Sequence, residues 1–465
     1  MKTPALLGIL AVLVLEAGCL MGPKYSRPAV NIPQEYRAPA PQQATVASSL
    51  GNEEWWKVYD DPVLTQLIHT ALAQNYDVRI AAARVLEAQA QVGITRANQL
   101  PSASVGANVF SEQNAKVTDL FPAYEVNGGQ LNLSVIWNLD FWGKYRRQTE
   151  AARAQLLATE WGQRAVTSSL VANVATAYFQ IRALDSELEI SKRTLASRQH
   201  SLQLTQVLET HGSGSGLDVS QAEQLVYTAS ETIPDLERQI DQQENLLSIL
   251  LGENPQSIPR GRALIEQPVP QNVPAGLPSE LLERRPDVRQ AEANMVAANA
   301  QIGVAKANFF PSISLTGTGG LESNVLNDFI TGPSEMWSAA AGVTQPVFQG
   351  GALKSGLRLA RANSQEAVLS YQQTVQSALE QVSDALIASQ KNREFREQQE
   401  LLTQAAQRTD QLSEVLYKNG GASYLQVLTS ETNYFTAELN LVEAQFNERL
   451  ALVQLYQALG GGWQQ

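Results

Sequence analysis

The chain contains itself twice. VLETHGSGSGLDVS at residues 207–220 is answered by VLYKNGGASYLQVL at 415–428, an offset of 208 residues (415 minus 207). The offset holds without a gap to Leu251-Gly252 against Leu459-Gly460. In each copy Val-Leu leads into a turn of small residues, with Gly212, Gly214 and Gly216 in one and Gly420, Gly421 and Ser423 in the other; Leu217 or Leu425 follows. Long segments of helical period flank both turns. A repeat of this kind has to be recognised before any fold is assigned. The expectation is two equivalent halves, each built on a long helical hairpin with a sharp bend.

The hairpins are too long to be globular. Lys144 to His211 reads as one helix of 68 residues, roughly 100 Å if continuous. The return segment places Val219, Ala222, Val226, Ala229, Ile233, Leu236 and Ile240 at alternating steps of three and four, a heptad seam. Pro234 lies inside that seam and is expected to bend it. A seam this narrow has no core of its own, so hairpins must pack side by side. A shorter helix is expected from Asp61-Pro62, an acidic cap followed by proline at the first helical position, to about Asn98.

After Leu100-Pro101 the period changes to two. Ala103, Val105, Ala107 and Val109 alternate with Ser102, Ser104, Gly106 and Asn108. Asn127-Gly128-Gly129 reads as a loop, and a second strand follows from Gln130 to Phe141. The second half repeats the plan, with strands around Ser312–Leu321 and Met336–Phe348, a helix to about Lys418, the bend and a return helix. Such alternation suits a half-buried soluble strand or a barrel strand between lipid and water. Beyond the N-terminus no stretch approaches the ~18 apolar residues of a spanning helix, so any membrane crossing must use strands. Four strands cannot close a barrel; two or three chains would give eight or twelve. Phe110, Trp137, Phe141, Trp142, Phe309, Phe310, Trp337 and Phe348 gather at strand ends and middles, as an interfacial girdle or as ordinary packing.

Composition excludes several classes. A net charge of −12 argues against nucleic acid, which wants a basic face. The single cysteine, Cys19, excludes an internal disulfide and a cysteine-based zinc site, and His69, His200 and His211 lack metal-ligand spacing. Gly212–Gly216 lacks the Gly-Lys-Ser/Thr ending of a phosphate loop. The acidic pairs Glu53-Glu54 and Asp60-Asp61 have no partner for acid–base work. No enzyme, no cofactor and no bound metal is expected. At the N-terminus Lys2 and the apolar run Ala5–Leu15 form a targeting signal.

Several stretches carry a resemblance to one family. Leu15-Glu-Ala-Gly-Cys19 resembles a bacterial lipoprotein processing site, although Glu16 stands where leucine is usual, and cleavage without lipidation is the alternative. Gly22-Pro-Lys-Tyr-Ser-Arg-Pro28, Trp55-Trp-Lys-Val-Tyr-Asp-Asp-Pro62, Asp140-Phe-Trp-Gly143 and Leu277-Pro-Ser-Glu-Leu-Leu-Glu-Arg-Arg-Pro-Asp287 together resemble the TolC-type outer-membrane efflux channels, in their lipoprotein (NodT-like) subgroup. The resemblance runs from Cys19 to Trp463. It implies a mixed α and β fold: a homotrimer whose twelve-stranded barrel, four strands per chain, continues into a periplasmic α-helical barrel. It also implies docking to a periplasmic adaptor that carries an inner-membrane pump, with outer-membrane lipid as the other partner and Cys19 as the lipidated residue. The bends, through Gly212, Gly214, Gly216, Leu217, Gly420, Gly421, Ser423 and Leu425, would be the docking tips. Tyr417 and Asp218 match a hydrogen-bonded latch of the closed state; the alternative is that Asp218 only caps its helix. Gln426 and Thr429 stand at the aperture where TolC itself carries rings of aspartate.

The expected layout is a signal peptide at 1–18, an arm at 19–61, a first repeat at 62–252, a proline-rich linker at 253–285, a second repeat at 286–460 and a tail at 461–465. The leading function is a passive exit duct for small molecules. A duct for secreted polypeptide is the alternative within transport, and a lipid-anchored coiled-coil protein is the alternative outside it, which the alternating strands disfavour.

Overall fold

The computed structural model describes residues 19–37, 49–50, 54–115, 124–267, 275–324, 329 and 332–463. The expected signal peptide, Pro39 and Pro41 of the arm, Pro268, Pro270 and Pro274 of the linker, and the last two residues of the tail lie outside the described residues. The elements run α1 (Trp55–Tyr59), α2 (Pro62–Gln74), α3 (Tyr76–Ala97), β1 (Ser102–Asn114), β2 (Tyr124–Leu139), α4 (Lys144–Thr210), α5 (Gly216–Leu251), α6 (Pro278–Arg284), α7 (Pro286–Ala307), β3 (Ser312–Ser323), β4 (Glu335–Thr344), α8 (Ala352–Lys418) and α9 (Tyr424–Ala458). The duplication is explicit: α4 and α8 are each 67 residues, and α3 and α7 are each 22. No helix among the described residues is long and apolar enough to cross a membrane.

The chain forms two compact units, and each draws on both repeats. One comprises Met1–Ala29, Arg84–Glu160 and Gln290–Gln372. Its centre is an antiparallel meander in the order β1-β2-β3-β4. Val105 faces Leu133, Trp137 faces Leu315 and Leu315 faces Ala341 across the ladders. Gly320 is required by proximity, since a Cβ there would lie 2.0 Å from the Leu131 carbonyl oxygen. Strand side chains are widely exposed, Val109 at 88% and Trp337 at 83%. Among the described residues β1 and β4 end the sheet, each with one edge unpaired.

Asp140-Phe-Trp-Gly143 is a helix entry. Asp140 accepts from the backbone N–H of Tyr145 and Arg146 at 3.1 and 2.8 Å, which satisfies first-turn donors that have no intrahelical partner. Gly143 takes a φ of +73°. The Trp142 ring stacks on Phe310 at 4.9 Å and its indole N–H donates to the Pro311 carbonyl at 2.7 Å. The arm is fastened beside it. Arg147, 3% exposed, donates to the carbonyls of Met21 and Pro23. Gly22 and Gly303 meet backbone to backbone, and Glu292 accepts from Tyr25 and Arg27.

The second unit comprises Val30–Ala83, Trp161–Arg289 and Gln373–Gln465. Tyr178, Leu64, Ile68, Ile181, Leu251, Leu264 and Leu455 are fully buried in it. Asp61, wholly buried, caps α2 through Val63 and Leu64 and also accepts from Tyr178 at 2.9 Å and Gln267 at 2.6 Å. One carboxylate thus ties a helix start, a long helix and the linker. In Arg284-Arg285-Pro286-Asp287 the buried Arg285 chelates Asp287 and donates to Gln381 and to the Ala458 carbonyl at the end of α9. In the tail Trp463 lies edge-on to Trp161, with the Arg164 guanidinium over both rings.

Several expectations are corrected. The helix from Asp61 breaks at Asn75, whose side chain accepts from the N–H of Asp77 and Val78 and donates to the Leu250 carbonyl. Asn127-Gly128-Gly129 is not a loop but part of β2, and the Phe110 ring covers Gly128 across the ladder. β2 stops at Leu139, because Asp140 is committed to capping, and β4 stops at Thr344, before Pro346. Pro234, the residue expected to bend the return helix, lies inside α5, which is continuous from Gly216 to Leu251.

Asp61 supplies a prediction. Burial works against its charge, but hydrogen bonds from Gln267, Leu64, Tyr178 and Val63 outweigh it and hold the carboxyl below its usual range. Stability from this group is therefore present above the ordinary carboxylate pKa and is lost as pH falls through the depressed folded value. Asp61→Asn should cost about 2–3 kcal/mol in denaturant unfolding of the purified protein at neutral pH. The gap should narrow in acid.

Candidate gate at the hairpin bends

Both bends are closed by the same main-chain hydrogen bonds. Gly212 and Gly420 sit at φ +73° and +74°, the left-handed region where a Cβ is disfavoured. Their N–H groups donate three residues back, to Glu209 and Tyr417. The next N–H reaches five residues back, Ser213 to Leu208 and Gly421 to Leu416, both at 2.8 Å. This pairing of bonds is a Schellman closure, and it satisfies carbonyls that a helix end leaves open. At 3.0 Å from the Glu209 nitrogen, a Cβ on Gly214 would crowd the first bend. His211 and Asn419 occupy equivalent places, each ring or amide nitrogen 2.7 Å from the carbonyl oxygen four residues earlier.

The return helices start with related caps. Ser215 accepts from the N–H of Asp218, and Asp218 accepts from the N–H of Ser215, both at 3.2 Å. In the second bend Gln426 accepts from the Ser423 N–H at 3.2 Å. This reciprocal arrangement is a capping box, with an acid at its third position in one bend and an amide in the other. Leu217 and Leu425 stand out at 66% and 60% exposure, and Gly216 opens α5 beneath the Glu209 carboxylate.

Tyr417 and Asp218 come near one another without a hydrogen bond between them among the described residues. One oxygen of the Asp218 carboxylate accepts in its capping box. Burial raises the Tyr417 hydroxyl pKa, and the Asp218 charge raises it further. What Tyr417 contributes is its ring. The ring lies 5.3 Å from that of Tyr424 and packs on a cluster of Ala222, Tyr424, Val427 and Leu428, with Leu202 and Leu225. Residues of α4, α5 and α9 meet there, so the contact between hairpins is apolar. The helical period of Tyr424, Val427 and Leu428 was the available signal for it.

Gln426 and Thr429 are exposed and neutral. Thr429 donates to the Leu425 carbonyl at 2.8 Å, so both side chains are turned to their own helix. Cys19 is an exposed free thiol, and Leu20 beside it lies against Gly143.

Comparison with known proteins places this geometry. Residues 67–253 and 277–461 match the family described as outer membrane efflux protein, one segment in each repeat. The chain is 34% identical over 450 residues to the cation efflux system protein CusC of Escherichia coli O6:H1, covering 96% of each chain. It is 34% identical to the toluene efflux pump outer membrane protein TtgC of Pseudomonas putida, covering 99% of this chain and 96% of that one. Among solved structures, the open state of the Neisseria gonorrhoeae MtrE outer membrane channel superposes with a TM-score of 0.86 at 29% identity, over 96% of this chain and 99% of that one. The repeat, the four strands and the paired bends are thus those of a known kind of protein: the chain belongs to the outer membrane efflux protein family.

Proposed function

We propose that three copies of this chain form the outer-membrane duct of a tripartite efflux system, through which small molecules leave passively. The observation that carries this reading is the four-stranded meander with both edges unpaired and its side chains open to the surroundings. Unpaired strand edges are excluded from lipid, so the sheet needs copies of itself to close; three give twelve strands. The long hairpins supply a helical wall. The exposed leucines of the bends are the surface for a periplasmic adaptor, and an inner-membrane pump provides the energy. Cys19, held at the barrel base by the arm, carries the lipid. Relatives that align over nearly their whole length are named for cations and for toluene, so the shared architecture does not by itself select cargo.

Electron microscopy of the detergent-purified protein tests the assembly. The expected particle is a threefold tube with about 100 Å of helix; monomeric or globular particles would end the duct reading. The bends generate two further outcomes in planar bilayers. With Gln426 and Thr429 at the aperture, block by divalent cations should be weak, and strong block at low concentration would mean that other residues line it. Tyr417→Phe should leave single-channel conductance unchanged, whereas Tyr417→Ala, which empties the apolar contact between hairpins, should raise it. A rise with phenylalanine would restore the hydroxyl to a latching role.

A further inference from the structure

Above the bends lies a polar cluster in an otherwise apolar seam. Arg198 of α4 is 2% exposed. Its guanidinium lies over the Phe435 ring at 5.1 Å and donates to the Leu225 carbonyl of α5 at 2.9 Å, which leaves its Nε without a partner. Phe435 is four residues beyond Glu431 on α9, so both side chains share one helix face. Glu431 accepts from Ser201 of α4, one turn from Arg198, at 3.3 Å; its other oxygen is buried and also without a partner. On the other side of α9, Ser430 reaches both Ser413 and Asp410 of α8. Four helices of the two hairpins are thereby joined through one arginine, two carboxylates and three hydroxyls.

We propose that Arg198, Glu431 and Asp410 form a second lock, about two to four helical turns from the bends, which holds the hairpins together while a carboxyl proton is retained and lets them part when it is lost. The inference rests on the duct reading and adds the regulation of its periplasmic end. The step is a simple ionisation: a carboxyl O–H bond breaks, its electron pair stays on the oxygen and the proton passes to water.

The charges facing the cluster set the direction. Glu431 is pushed up by burial and by Asp410 and Glu414 of α8, against the opposing pull of Ser201 and Arg198 of α4. Asp410 is pushed up by burial, by Glu414 and by Glu438 of α9, with Ser430 opposing. Glu414 is itself paired with Lys418, and Glu438 with Arg193 of α4 and Tyr434. From α5 the cluster receives the Leu225 carbonyl, and Asp218 bears on Tyr424. Farther along the same seam Glu187 of α4 is raised by burial and by Glu443 of α9. Two carboxyls raised in the packed state favour that state in acid. Its advantage is full below the ordinary carboxylate pKa and is lost as pH rises through the raised values.

Single-channel recording of the purified full-length trimer across pH tests the lock. Open probability of the wild type should rise roughly five-fold from about pH 5 to about pH 7. Glu431→Gln should stay low and flat. Asp410→Asn, which removes a repelling charge, should move the midpoint to lower pH, a displacement that a merely structural role would not produce. His211→Gln, at the exposed bend, should keep the wild-type profile. A conducting wild type with a flat profile, an Asp410→Asn midpoint that does not move, or loss of the profile in His211→Gln would overturn the lock and leave the duct standing. A wild type that never conducts would overturn the duct and the lock with it.

Discussion

A β-sheet that ends in open ladders carries unmade hydrogen bonds, and a hydrocarbon environment has no water to make them. β1 and β4 present such edges here. Much else in the chain follows from that debt. Strands long enough for a tilted crossing need copies to close on. A closed ring of copies fixes where each chain's helices leave the sheet, and hence where Asp140, Gly143 and Trp142 must turn the backbone into α4. The arm clasped by Arg147 and the Gly22–Gly303 contact secures that same corner.

The second unit meets the opposite difficulty. A 67-residue helix gains little from its own narrow seam, since helical stability in water comes mainly from packing. Its fixed points are polar and local: Asp61 under α2, Asn75 between α2 and α3, Arg285 against the end of α9. Each is a charged or amide side chain that replaces missing backbone partners at a helix terminus. The interior between these points is Ala-rich, and small side chains let helices approach closely.

The repeat, the helix lengths and the strand count were legible because period and self-similarity are one-dimensional. α4 came within one residue of its expected end, and α8 ended at the expected lysine. The breaks were less legible. Asn75 looked like one more polar helical residue, because its role depends on Leu250, 175 positions away. Gly128 and Gly129 carried a turn signature, yet Phe110 on the neighbouring strand absorbs them into a ladder. At the bends the resemblance pointed to a Tyr417–Asp218 latch and the sequence to a helix-capping aspartate, and the structure shows the cap, with Ser215 and Asp218 bonded to each other's N–H. The Arg198 cluster was invisible for the same reason: its members are spread over four helices, and none breaks the local pattern.

The twin Schellman closures have a consequence for change. Because each turn is held by main-chain hydrogen bonds and a single left-handed glycine, the side chains between glycine and cap contribute almost nothing to the geometry. Ser213 and Ala422 are therefore free coordinates. Drift at them can alter what a partner meets without refolding the helices behind. A duplicated ancestor with identical tips could in this way acquire two different faces, one per hairpin, while the frame that carries them stayed the same.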